Sequence, residues 1–394
     1  MHNRFSRRDL LKTAAMLPAL GAAQGGGRIV AYVGGSKRQD NGIHLFHFNP
    51  ADGSLTPWKV FKEVPGPGWL AFHPTKKFLY AISSARFEGK RVGSVAAMAV
   101  DSATGDLKLI NVKSSGGSGP AHLGLDPQGR FAFTANYGDG TTGVLPINSD
   151  GSLGDTVDVK KIEGPLGPQP AKNAPPGSFA LSGHDAPHAH QARTDPSGRF
   201  LLVSDLGTDR VYIYRIDPKT GVLTPNAQPF VQAAPGDGPR NIDFAPNGRF
   251  VYSLNEEGST VDMMTWNGET GALAIQQTLS TLPPGYAGTN YPSTIMVSRD
   301  GRFLYTANRL FDSIAIFSLD PKTGRMTAKG HELTRGSYPR QFGFDPSGKY
   351  MYVLHSQSDN ITVFRVDAKS GRLTFTGKFY GVGSPSMIEF LTLS

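Results

Sequence analysis

The chain has 394 residues, 48 of them Gly and 29 Pro, and carries a formal charge of +8 from 40 Lys and Arg against 32 Asp and Glu. The absence of cysteine excludes a disulfide framework, a thiolate-bound zinc or iron–sulfur centre and a thiol nucleophile. Abundant Gly and Pro without a collagen period, with 10% aromatic residues, point to many short strands and turns, and no apolar run reaches the ~18 residues of a membrane-spanning helix.

In chain order, the first predicted element is an address. Arg4, Arg7, Arg8 and Lys12 precede a short apolar run, Thr13 to Ala23, that ends in small residues. The string Ser6-Arg7-Arg8-Asp9-Leu10-Leu11-Lys12 matches a twin-arginine export signal. Residues 1–23 are therefore set apart as an export signal for the twin-arginine machinery, with a periplasmic destination, and 24–394 as one domain. Removing the signal's net +3 leaves about +5 on the mature chain, a mild steering field for anionic small molecules. Lys and Arg form no dense runs interleaved with aromatics, so nucleic acid is not an expected partner.

Two turn motifs then repeat. An Asp or Asn followed by a Gly-containing turn and a Leu or Met starts at Asn49, Asp101, Asn148, Asp217, Asn267, Asp320 and Asp367, at spacings of 52, 47, 69, 50, 53 and 47. A second turn, of the Asp-Pro-Ser-Gly-Arg-Phe type, starts at His73, Asp126, Asp195, Ala245, Arg299 (shortened) and Asp345. Between the turns lie alternating β-rich runs such as Phe78–Ile82, Val211–Tyr214 and Ile314–Phe317. Four strands per unit of roughly 50 residues predict an all-β fold, a seven-bladed propeller of four antiparallel strands per blade. The first unit, from Arg28, lacks its opening strand, and the last residues, after Pro385, supply one extra. The C-terminal strand is thus expected to join the N-terminal blade and close the ring, which removes free sheet edges.

Both repeated turns fall on one end of the blades, where their Gly, Asp and Asn provide turn chemistry. The opposite end gathers the starts of the first strands and the loops after the second strands, and there the repeats diverge. The first strands are marked by Pro67, Pro120, Pro187, Pro239, Pro292, Pro339 and Pro385. Arg240 and Arg340 follow two of these prolines, and counting back from Asp195 puts His190 level with Arg240. The second strands end in Asn136-Tyr137, Asp205-Leu206, Asn255-Glu256, Asn308-Arg309 and His355-Ser356. The expected cluster is His190, Arg240, Glu256, Arg309 and Arg340, with His188 and Tyr137 nearby. Asn136, Asp205, Asn255 and Asn308 are expected to hydrogen-bond between blades.

Arginine forks suit carboxylate or phosphate. Three of them against one glutamate favour an anionic ligand. His188-Ala189-His190 lacks a clear third ligand, even with His122, His184 and Asp185 in view, so no metal and no cofactor is expected. No Gly-x-Ser-x-Gly elbow, Walker loop or dinucleotide loop stands in a suitable context. The Pro-rich stretch from about Gly164 to Asp185 is read as a partial lid.

Gly119-Pro120-Ala121-His122, Ala135-Asn136-Tyr137, Pro187-His188-Ala189-His190, Gly238-Pro239-Arg240, Asn255-Glu256, Ser280-Thr281-Leu282-Pro283 and Asn308-Arg309 together resemble the seven-bladed lactonase family. That family includes bacterial 6-phosphogluconolactonase and the fungal carboxymuconate-lactonising enzymes. The resemblance spans nearly all of 28–394. It implies a hydrolase of a small anionic or sugar lactone, with His190, Arg240, Arg309 and Glu256 as active-site residues; beside them, Arg340, His188, Tyr137 and Asn241 are the expected substrate-binding residues. Asn241, Leu310, Phe311, Thr289 and Thr294 depart from the family pattern and make the pocket less polar, which counts against a sugar phosphate. Either Glu256 or His190 is the expected base. The alternatives are a non-catalytic exported propeller that binds an anionic ligand or a protein, and a lactonising cycloisomerase.

Overall fold

A computed structural model describes residues 27–37, 41–83, 87–89, 92–180 and 183–393; the segment read as an export signal lies outside them. Seven four-stranded antiparallel sheets follow one another around a ring. We number them as blades 1 to 7. The innermost strands are Pro385–Thr392 (blade 1), Pro67–Phe72, Pro120–Leu125, Ala189–Thr194, Pro239–Phe244, Pro292–Val297 and Pro339–Phe344 (blade 7). Blade 1 is closed as the sequence predicts: Ile29–Gly35 pairs with Gly42–Asn49 on one side and with Pro385–Thr392 on the other.

Burial follows position in the blade. The second strand of blade 6, Phe303–Asn308, is buried throughout, because blades cover both of its faces. The fourth strands alternate toward solvent, as in Ala272–Ser280, where Leu273 packs inward and Ala274 outward. The core is divided accordingly into seven apolar clusters, each shared by two adjacent blades. One of them joins Phe250, Tyr252 and Val261 of blade 5 to Leu304, Ala315 and Phe317 of blade 6.

The repeated turn also latches the blades together. Tyr32, Tyr80, Tyr252, Tyr305 and Tyr352 are fully buried, and each donates its hydroxyl to the carbonyl of a turn glycine in the next blade, at 2.6 to 3.0 Å. Burial raises the pKa of these phenols. Phe133 and Leu202 occupy the matching places in blades 3 and 4. At Gly324 the backbone is left-handed (φ +72), and a Cβ would lie 2.6 Å from Phe250 Cγ of the preceding blade. Only glycine satisfies both demands.

The stretch after Asp158–Lys161 crosses to later blades. The Lys172 N–H donates to Pro235, Asn173 Nδ2 to Asp237 at 2.8 Å, and the Phe179 N–H to Thr289 Oγ1 at 2.9 Å. It lies against the loops that lead into blades 5 and 6.

Candidate functional site

The ends of the blades away from the repeated turns are aligned by a recurring backbone bond. The residue after each second strand donates its N–H to the residue before or at the start of the first strand: Tyr137 to Gly119, Leu206 to His188, Glu256 to Gly238, Arg309 to Tyr291 and Ser356 to Tyr338. The register confirms the level assigned to His190. Ala189 faces Asp205 as Pro239 faces Asn255 and Pro339 faces His355. His190, Arg240 and Arg340 therefore hold the same position in three blades, and Glu256 and Arg309 share another.

Glu256 joins two blades. Its carboxylate lies 2.6 Å from Arg240 Nε in its own blade and 2.6 Å from Arg309 Nη2 in the next. All three side chains are buried. Burial alone would raise the Glu256 pKa, but Arg309 and Arg240 overcome it and hold the group below the usual carboxylate range. The two arginines respond oppositely. Burial, with repulsion from Arg309 and Arg340, pushes Arg240 down to about 9 against the pull of Glu256. For Arg309, burial is outweighed by Glu256 and Tyr338, and its pKa is raised. Arg340 has no hydrogen bond or ion pair among the described residues and is exposed, and burial of its surroundings and Arg309 lower its pKa.

His190 is buried beside these charges. Desolvation first, then Arg240, Arg340 and Arg309, hold its pKa well below 6.5, so the imidazole is neutral at pH 7. Tyr137 lies edge-on to it (6.0 Å, 84°) and stacks flat on His188 (4.2 Å, 15°). Both nitrogens of His188 face acceptors, the Tyr137 carbonyl at 2.7 Å and Asp185 at 2.8 Å, so this histidine braces Tyr137. Asn241, expected to touch substrate, is buried and accepts a hydrogen bond from Arg240 Nη1 at 2.7 Å; it positions that guanidinium. Asp209 accepts from the N–H groups of Gly236 and Gly238 and from His184, and so fixes the loop that delivers Arg240.

Other candidates separate. His122 packs under Trp69 and meets Gln191, and among the described residues no three His, Asp or Glu side chains are grouped to hold a metal ion. Asn136 and Asn308 do bridge blades, to Ser115 and Thr281. Asp205 and Asn255 instead bond Thr208 and Thr260 of their own blades, and Asn255 also Asp262. Two residues the sequence reading passed over are Tyr291 and Tyr338, whose rings lie 5.4 and 5.2 Å from the Arg309 guanidinium. Farther along the axis, toward the turns, a cavity of about 430 Å³ is lined by Trp69, His122, Arg193, Met296, Met387 and Glu389 among others.

The family described as Lactonase, 7-bladed beta-propeller, matches residues 30–390. The chain belongs to this seven-bladed β-propeller lactonase family. Among its lactonase relatives, the Bacillus subtilis protein named 6-phosphogluconolactonase, a lactone hydrolase, is 32% identical over 81% of this chain and 86% of its own length. The Formosa agariphila protein of the same name is 31% identical over 79% and 84%. The solved periplasmic gluconolactonase of Pseudomonas aeruginosa superposes with a TM-score of 0.83 at 30% identity, covering 93% of this chain and all of the other.

Proposed function

We propose that this protein hydrolyses a small sugar or anionic lactone, of the gluconolactone class, at the channel mouth formed by His190, Arg240, Glu256, Arg309 and Arg340, after export to the periplasm. The observation that carries the reading is the shared Glu256 carboxylate, which holds Arg240 and Arg309 side by side next to a neutral histidine. Two fixed guanidinium groups provide donors for the carbonyl oxygen as it becomes an oxyanion, a stabilisation that needs no reorganisation in the transition state. With both oxygens ion-paired and its pKa lowered, Glu256 is a positioning group. His190 is the base.

In the proposed cycle, His190 takes a proton from water while the water oxygen forms a bond to the lactone carbonyl carbon. The tetrahedral oxyanion rests on Arg240 and Arg309. Its collapse breaks the bond to the ring oxygen, which receives the proton back from His190, and the product is a hydroxy acid that ionises at neutral pH. Arg340 receives a carboxylate or another anionic group of the substrate. Leu310, nearly half exposed, and Phe311, packed on Tyr286, put apolar surface next to Arg309 and favour an unphosphorylated substrate. The leader string Ser6–Lys12 and the periplasmic gluconolactonase neighbour support the location.

Proton release at pH 7 from sugar, phosphosugar and muconate lactones tests the reading. Turnover of a sugar lactone is expected, with Arg240→Ala and His190→Ala each lowering kcat/KM at least about tenfold at unchanged fold. No turnover on any of them, with anion binding retained, would leave a binding propeller in place of an enzyme.

A further inference from the structure

The residue just before the proline that opens the first strand adopts a left-handed backbone in most blades. Gly66 (φ +58), Gly119 (φ +60) and Gly238 (φ +69) serve this place in three of them. In blade 7 the same place is held by Tyr338, at φ +63. A tyrosine there is strained, because its Cβ crowds its own backbone. Two bonds hold it: its N–H donates to Asp312 Oδ1 at 2.7 Å, and its carbonyl accepts from the Ser356 N–H at 3.1 Å. Blade 6 has a second tyrosine at the corresponding place, Tyr291, without the left-handed backbone.

Both rings meet the same guanidinium. Tyr291 and Tyr338 lie 5.4 and 5.2 Å from Arg309, whose Nε also donates to the Tyr291 carbonyl at 2.8 Å. Nη2 is taken by Glu256. Two aromatic faces and two acceptors thus fix the plane of Arg309 and leave its remaining N–H donors for a ligand oxygen. Blade 1 also carries a left-handed non-glycine at this place, Ser384 (φ +45), so it is the contact of the Tyr338 ring with Arg309, beyond the strain, that gives the side chain a task. We infer that Tyr338, with Tyr291, is a positioning residue that clamps Arg309 in the orientation needed for the lactone oxyanion and the carboxylate product. This rests on the proposed hydrolysis at the Arg240–Glu256–Arg309 cluster.

The test compares Tyr338→Gly and Tyr338→Phe in the full mature chain, with Arg240→Ala as reference. Glycine suits this backbone, so Tyr338→Gly keeps its melting temperature within a few degrees of the parent. Its kcat/KM on the sugar lactone and its calorimetric affinity for gluconate should each fall about tenfold. Tyr338→Phe keeps the ring and should restore both to within about twofold. Unchanged kcat/KM and gluconate affinity in Tyr338→Gly, or equal losses in Phe and Gly, would overturn the clamp. If Arg240→Ala is impaired while Tyr338→Gly is not, the clamp falls and the hydrolytic site stands. A parent that neither turns over lactone nor binds gluconate removes both.

Discussion

At the turn end of the propeller the blades repeat one piece of chemistry: a buried tyrosine hydroxyl meets the carbonyl of a left-handed glycine in the next blade. At the other end, aligned positions carry His190, Arg240 and Arg340 in three blades but Ala121, Ser293 and Ser386 in others. Repetition at one end means five of the seven blades meet their neighbour in the same way, with Phe133 and Leu202 in the two others. Divergence at the other lets a few blades gather the residues of the proposed site, with like charges crowded around His190 and a left-handed tyrosine.

Substitutions should therefore divide by end. The largest stability loss is expected for Gly324→Ala, which combines a left-handed backbone with a Cβ 2.6 Å from Phe250. Destabilisation of about 2–4 kcal/mol in denaturant melts is expected, with kcat per folded molecule unchanged. A loss below about 1 kcal/mol would show that the turn glycines are conformational conveniences only. Tyr252→Phe removes a single 2.8 Å bond to the Gly324 carbonyl and keeps the ring. It should cost about 1 kcal/mol and leave kcat/KM untouched. An effect on activity there would break the division between the two ends.

Much of this was legible from the chain itself. The turn spacings count the blades, the missing first strand and the extra last one announce the closure, and the offset from Asp195 puts His190 level with Arg240. These features are periodic, so one blade informs the next. The rest depends on contacts across blades. That Glu256 serves two arginines and that Tyr291 and Tyr338 converge on Arg309 follow only once adjacent sheets are set side by side. Tyr338 was hidden for a further reason: next to a proline it reads as turn punctuation, and its left-handed backbone cannot be inferred from residue type.

The dependence of kcat/KM on pH, measured on a sugar lactone from about pH 4 to pH 8 in the parent and in His190→Ala, bears most directly on the claim that a neutral imidazole among arginines is the base. Burial and the three arginine charges depress the His190 pKa, so the base form persists on acidification. The parent should hold its rate through pH 6.5 and decline only well below it. His190→Ala should be at least about tenfold slower and lose that decline. A parent profile that bends at or above pH 6.5, or a variant that keeps the parent's rate and acid limb, would contradict the account.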